Sequence, residues 1–337
     1  MTTSSPPGAA EQALLTEYET YDQHVDVVSA LEWLFTDPAV KGMPATVSHF
    51  ERFPRIPVAG KRDPLTPDFT VLFSDGSAVI GEIAKLALHE NSLDKVCAQI
   101  GGYAVLDRVP DGRGGLAAVS HLDVMLLVEA QVGLPAIRRV IKERYLDPEH
   151  PYKPPRPPCI AQFFRTESVY TLQRLPDPDN GVLYSGQREP HIGARLDEGL
   201  NIKASHFVAT KAHRAFINDP IKPLYLATHL WTRTWPTQFG GGREDITVEE
   251  KATTTLLQKQ YGVGGITVVR RALELLERAG LAANQGDGTW IVSRKLLGRS
   301  GERDVHKIIA RRATTKPTRL VPRRPAPKSA ASQDTLF

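Results

Sequence analysis

Two short apolar runs separated by four turn residues constrain this chain more than any other stretch. Residues 69–73 and 78–84 are rich in β-branched and apolar side chains, and Ser74-Asp75-Gly76-Ser77 between them is turn chemistry. Two neighbouring antiparallel strands are therefore the economical reading. Asp68 precedes the first run and Glu82 lies near the end of the second. Antiparallel pairing sets those ends side by side and brings two hard oxygen ligands within reach of one divalent cation. Glu82 stands between Ile80 and Ile83, where a buried carboxylate is costly unless a cation is beside it. Lys85 follows and supplies a positive charge for a phosphate or an attacking water.

The surroundings extend this pattern. Gln99 and Tyr103 are four residues apart, which places them on one side of a helix. Upstream, residues 25–35 carry Val28, Leu31, Leu34 and Phe35 at helical spacing. Glu32 lies on that helix as a candidate third acid, with Glu51 in the strand-like stretch 46–53 as its competitor. Residues 121–128 form a near-continuous apolar run typical of a buried central strand, and 135–145 reads as a basic amphipathic helix. Further strands are expected at 160–164 and 169–172. The order is α, β, β, β, α, β.

Taken together, Asp68, Glu82, Lys85 and the Gln99-x-x-x-Tyr103 pattern resemble the PD-(D/E)xK nuclease superfamily, in its RecB-like branch, over roughly residues 20 to 175. The resemblance implies a restriction-endonuclease-like α/β fold, a mixed β-sheet core with flanking helices. It implies Mg²⁺ or Mn²⁺ held by Asp68, Glu82 and a further acid such as Glu32, and Gln99 and Tyr103 contacting the metal-bound DNA. There is one departure. The family places acid and lysine two residues apart, which in a strand sends both to one face; here that position is Ala84 and the lysine is Lys85. Three arrangements follow: a bulge at Ile83-Ala84 re-aims Lys85, Lys95 on the next helix takes the role, or the site is degenerate.

A second pattern lies between residues 216 and 298. A helix over 247–260 capped by Thr247, a glycine-rich break at 262–265, a helix over 266–279 ended by Gly280, and a hairpin turning at 285–288 resemble a winged helix-turn-helix domain. Thr267, Arg270 and Arg271 on the outer side of the second helix are its candidate groove or phosphate contacts. The domain order resembles the TnsA family of transposon endonuclease subunits.

Composition fits an intracellular protein of two domains. The 337-residue chain is 41% hydrophobic, enough for sizeable cores. Its two cysteines, Cys97 and Cys159, show neither disulfide nor zinc spacing. No signal-peptide core or membrane-length run is present, so a cytoplasmic location is expected. The formal charge of +4 is unevenly spread, because basic residues including Arg311 and Arg312 crowd the chain from Arg294 onward. The expected organisation is a disordered start over 1–15, a nuclease-like domain over 16–175, a loop-rich connector over 176–215, the helix-turn-helix over 216–298, and a basic disordered tail over 299–337. The last residues, Gln333, Leu336 and Phe337 among them, fit the Q-x-x-L-F pattern of peptides that dock on bacterial sliding clamps. The leading expectation is a metal-dependent DNA endonuclease of a mobile-element, phage-defence or repair system. Its alternatives are a non-catalytic DNA-binding protein on a degenerate nuclease fold and a protein-interaction subunit of a larger DNA-processing complex.

Overall fold

The structure is a computed structural model that describes residues 8–43, 46–58, 60, 62–84, 90–186, 191–242, 244–295 and 304–315. It divides into two compact units, Asp22–Pro220 and Met1–Tyr21 with Ile221–Phe337.

The unit Asp22–Pro220 is mixed α/β. In chain order it holds α1 (Ala9–Thr36, from Asp22 onward), β1 (Val47–Arg52), β2 (Phe69–Phe73), β3 (Ser77–Ile83), α2 (Glu90–Ala104), β4 (Arg108–Pro110), β5 (Leu116–Ala118) and β6 (His121–Glu129). There follow α3 (Gly133–Ala136), which continues as a π-helical stretch Ile137–Tyr145, then β7 (Cys159–Thr166), β8 (Val169–Arg174), α4 (Ile192–Glu198), β9 (Leu200–Lys203) and α5 (Val208–His213). Seven strands form one sheet in the order β1-β2-β3-β6-β7-β8-β9. β3, β6 and β7 run parallel, and the outer pairs are antiparallel. The apolar run of β6 takes a central place because a strand covered on both faces has no side to give to water.

Strand alternation sorts the hairpin side chains onto two cores. Phe69, Val71, Phe73, Val79 and Ile83 pack with Val27, Val28, Leu31, Leu34 and Phe35 of α1. Leu72, Ala78, Ile80 and Ala84 pack with Leu93, Cys97, Ile100 and Tyr103 of α2. Asp68 and Glu82, in phase with the second set, therefore belong to the α2 side of the sheet. Arg144, only 4% exposed, ties the start of α2 to the π-helical stretch by pairing with Glu90 and Asp94.

The segment 176–215 differs from the loop-rich connector expected of it. It contributes α4, α5 and the edge strand β9, where Ile202 is buried opposite Tyr170. Four residues are too few to show a period in the sequence, so this strand is set by the ladder it joins.

The other unit begins in the first turns of α1, within part of the expected disordered start. The run Ala9-Ala10-Glu11-Gln12-Ala13-Leu14-Leu15 consists of strong helix formers. Its later elements are α6 (Pro223–His229), extended through Leu230–Thr234 into α7 (Trp235–Phe239), β10 (Ile246–Glu249), α8 (Glu250–Tyr261), α9 (Ile266–Arg278), β11 (Ala282–Gly286), β12 (Thr289–Val292) and α10 (Val305–Thr314). The three strands pair antiparallel in the order β10-β12-β11. Trp231, Trp235 and Trp290 are fully buried, and Tyr18 and Tyr21 of α1 pack on Tyr225. α9 ends as its Gly280 predicts. At φ +67° Gly280 donates its N–H to Glu277 O, and Leu281 donates to Leu276 O, the paired bonds of a Schellman cap.

Three expectations change in this unit. Thr247 does not cap a helix: it pairs with Ile291 in β10, and α8 starts at Glu250. Arg294 is not part of a free tail but is 2% exposed and donates to Gly240 O. Residues 305–314 of the expected disordered tail form α10, which buries Val305, Ile309 and Ala310. Among the described residues no helix is long and apolar enough to cross a membrane.

Candidate active site

The hairpin register puts the two acids opposite each other. Phe69 pairs with Gly81, so Asp68 and Glu82 fall one step further along the same ladder, with Asp68 N–H donating to Gly81 O at 3.1 Å. Gly81 is required at this point, because a Cβ there would lie 2.0 Å from the Phe69 ring that crosses it. The Asp68 carboxylate accepts the Ile83 N–H at 2.6 Å. Glu82 is gripped from α2: Gln99 Nε2 donates to Oε1 at 2.7 Å and Tyr103 Oη donates to Oε2 at 3.0 Å. Gln99 Nε2 also donates to Tyr103 Oη at 2.7 Å, closing a ring of three side chains. The four-residue spacing of Gln99 and Tyr103 thus delivers both donors to one carboxylate.

This arrangement has an electrostatic cost. Burial, followed by the Asp68 charge opposite, pushes the Glu82 carboxyl up to about 8, more than its two hydrogen bonds and their lowering effect can offset. Burial and the neighbouring Glu82 charge push the Tyr103 phenol up as well, so it stays a proton donor. Two part-buried carboxylates that repel each other, both made of hard oxygens, Glu82 near the C-terminal end of the parallel strand β3 and Asp68 beside it at the start of the antiparallel β2, suit a divalent cation. Asp68 and Glu82 are the residues that would hold it. Among the described residues no three His, Cys, Asp or Glu side chains converge into a fuller metal cage.

No protein-family model, curated protein or solved structure matches this chain. The site therefore rests on its own geometry.

The other expected members are distributed differently. Lys85 lies outside the described residues, so the bulge that would re-aim it does too. Ala84, where the resemblance would put the lysine, is 8% exposed and packs in the α2-side core. Lys95 is exposed on α2, one turn before Gln99, and forms no ion pair with the described residues. Glu32 is not free to bind a cation, because it is committed to two guanidiniums, Arg52 at 3.2 Å and Arg214 at 3.3 Å. Its competitor Glu51 pairs with His49 at 3.1 Å. An acid that the sequence reading missed is Asp219. Its negative charge adds to the upward push on Glu82, and the neighbouring Asn218 donates to Thr66 O at 3.4 Å, two residues before Asp68. Nothing in the local sequence marks Asp219, which reaches the hairpin only through the fold.

The candidate nucleic-acid contacts separate into two groups. Thr267 and Arg271 are exposed on α9. Arg270 is engaged: it donates through Nε and Nη2 to Glu250, which is 3% exposed and also accepts from Trp290 Nε1 at 3.0 Å. The Arg270 hydrogen bonds hold the Glu250 carboxyl below its ordinary range. Arg270 is thus a buttress between α9, α8 and β12 rather than a free groove contact. Arg311 and Arg312 are exposed on the last turn of α10. Gln333, Leu336 and Phe337 lie outside the described residues.

Proposed function

We propose that this protein is a metal-dependent DNA endonuclease of the PD-(D/E)xK type with a C-terminal winged helix. The observation that carries the reading is the opposed Asp68–Glu82 pair, clamped by Gln99 and Tyr103 and held in a state that an added positive charge relieves. The mixed sheet, with the pair at the C-terminal end of its parallel part, supports the nuclease-like fold. The element order of the helical unit, with α8 and α9 followed by the β11–β12 hairpin, supports the winged helix.

The residues divide the work. Asp68 and Glu82 would hold Mg²⁺ or Mn²⁺, which when bound supplies an activated water and neutralises charge on the phosphate. Gln99 and Tyr103 fix the Glu82 carboxylate, so its oxygens cannot swing away as DNA enters. The lysine role falls to Lys85 or Lys95, and Lys95 already lies one turn from the clamp. Thr267, Arg271, Arg311 and Arg312 would supply phosphate contacts. A sliding-clamp contact through Gln333, Leu336 and Phe337, and membership of a mobile-element, phage-defence or repair system, belong to the same proposal.

Nicking of supercoiled plasmid in Mg²⁺ or Mn²⁺ tests it. Wild type is expected to nick, and Asp68→Ala and Glu82→Ala to lose at least about a hundredfold in rate, as expected when a metal ligand goes. Equal nicking by the double variant would sink the reading. The buried Ala84 at the lysine position favours a second reading, a catalytically silent DNA-binding scaffold. Wild type that binds but never nicks DNA would select it. If cleavage is seen, comparing Lys85→Ala with Lys95→Ala assigns the lysine.

A further inference from the structure

A second site lies at the opposite end of the parallel strands. A cleft of about 820 Å³ opens beside the starts of β3 and β6, within the range of small-molecule sites. Three of its lining residues, His121, Arg156 and Tyr184, gather around one carboxylate. Asp123 is 6% exposed and spends one carboxylate oxygen on the backbone N–H groups of Tyr184 and Ser185, both at 2.7 Å. Its other oxygen lies 2.8 Å from His121 Nε2 and 3.9 Å from Arg156 Nη1. The Arg156 guanidinium lies against the His121 ring and 5.9 Å from the centroid of the Tyr184 ring.

Two features give the cleft a ligand preference. Arg156 meets the described residues only through Nη1, so its Nε and Nη2 edge, the fork that grips an oxyanion in two parallel bonds, is unspent. Asp123 lies on the Nη1 side of the guanidinium, 3.9 Å away, and leaves that edge clear. Of the two acids on the rim, Asp75 accepts from the Ser77 hydroxyl, and Asp179 shares Lys142, at 3.5 Å, with Asp177. Beside the guanidinium, Tyr184 at 48% and Val182 at 40% exposure offer an apolar wall with an aromatic face.

We infer that this cleft binds a small phosphomonoester with a flat aromatic body, the chemistry of a nucleoside monophosphate. The phosphate takes the free edge of Arg156 and the body lies against Tyr184. The inference goes beyond the nuclease reading and is independent of the carboxylate pair.

Titration calorimetry on the full chain, with inorganic phosphate, adenosine 5′-monophosphate and adenosine as probes, tests it. The monophosphate is expected to bind more tightly than inorganic phosphate, and adenosine to bind much more weakly than either. Arg156→Ala should weaken the monophosphate by roughly tenfold or more, the value of hydrogen bonds to a charged group. Tyr184→Ala should reduce the monophosphate to the affinity of inorganic phosphate and leave the latter unchanged. Both side chains are about half exposed, so neither change threatens the fold. No binding of monophosphate or phosphate, undiminished binding by Arg156→Ala, or adenosine binding as well as its monophosphate would each overturn the inference.

Discussion

At the scale of single residues, Glu82 concentrates the tension in the molecule. Its carboxyl in the folded protein titrates near 8 against an ordinary 4.5. The folded state therefore keeps a proton that the unfolded chain releases, and stability present below pH 4.5 is lost as pH rises toward 8. The loss is expected to reach a few kcal/mol, at about 1.4 kcal/mol per unit. Thermal unfolding from pH 4.5 to 8.5 should show this decline in wild type and a flatter profile in Glu82→Gln; identical profiles would contradict it. A cation that binds only the folded pair should restore stability, most of all above pH 8. Millimolar Mn²⁺ is thus expected to raise the melting temperature at pH 8.5 in wild type and not in Asp68→Asn. Of these residues the sequence showed Asp68, Glu82, Gln99 and Tyr103, because turn chemistry and helix spacing are local. Asp219 was invisible, since its place depends on a chain reversal more than a hundred residues downstream. The engagement of Arg270 was hidden for a related reason. Helical spacing identifies the side chain's outward direction but not the buried Glu250 that reaches up to meet it.

Elements show how packing fixes these positions. Gly81 lets the Phe69 ring lie across β3, and the ring helps seal the core on the α1 side. Gly81→Ala forces a methyl into that ring and should cost roughly 1–3 kcal/mol or more. Calorimetry should find a lower melting temperature, partly recovered when Phe69→Leu is added. In the helical unit, Arg271 and Arg270 predict opposite outcomes although they are adjacent. Arg271→Ala should weaken DNA binding and reduce the salt slope by about 1, with stability unchanged. Arg270→Ala should lower the melting temperature by several degrees, because it strips a buried carboxylate of its cation. Strands and helices with a clear apolar period were legible in the sequence, whereas β9, β10 and α10 were not. β10 is four residues long and was absorbed into the helix that follows it. α10 lies in a charge-rich stretch whose few apolar residues show their face only when packed.

For the whole molecule, the division into units does not follow the chain. The helical unit needs Met1–Tyr21 as well as Ile221–Phe337, since Tyr18 stacks on His306 at 4.3 Å and Tyr21 packs 4.5 Å from Tyr225. Deleting residues 1–21 should therefore lower the stability of a unit that begins two hundred residues later. Hydrogen exchange should report faster opening in α6 and α10, and unchanged protection there would refute this dependence.

The opposition of Asp68 and Glu82 has a consequence for folding fidelity. The two acids sit on separate strands, one step past the paired positions, so neither strand alone carries any part of a usable centre. A hairpin closed one residue out of register would send the acids to opposite faces of the sheet. Any chemistry centred on the pair is therefore a readout of correct threading. A misfolded copy is silent rather than sloppy.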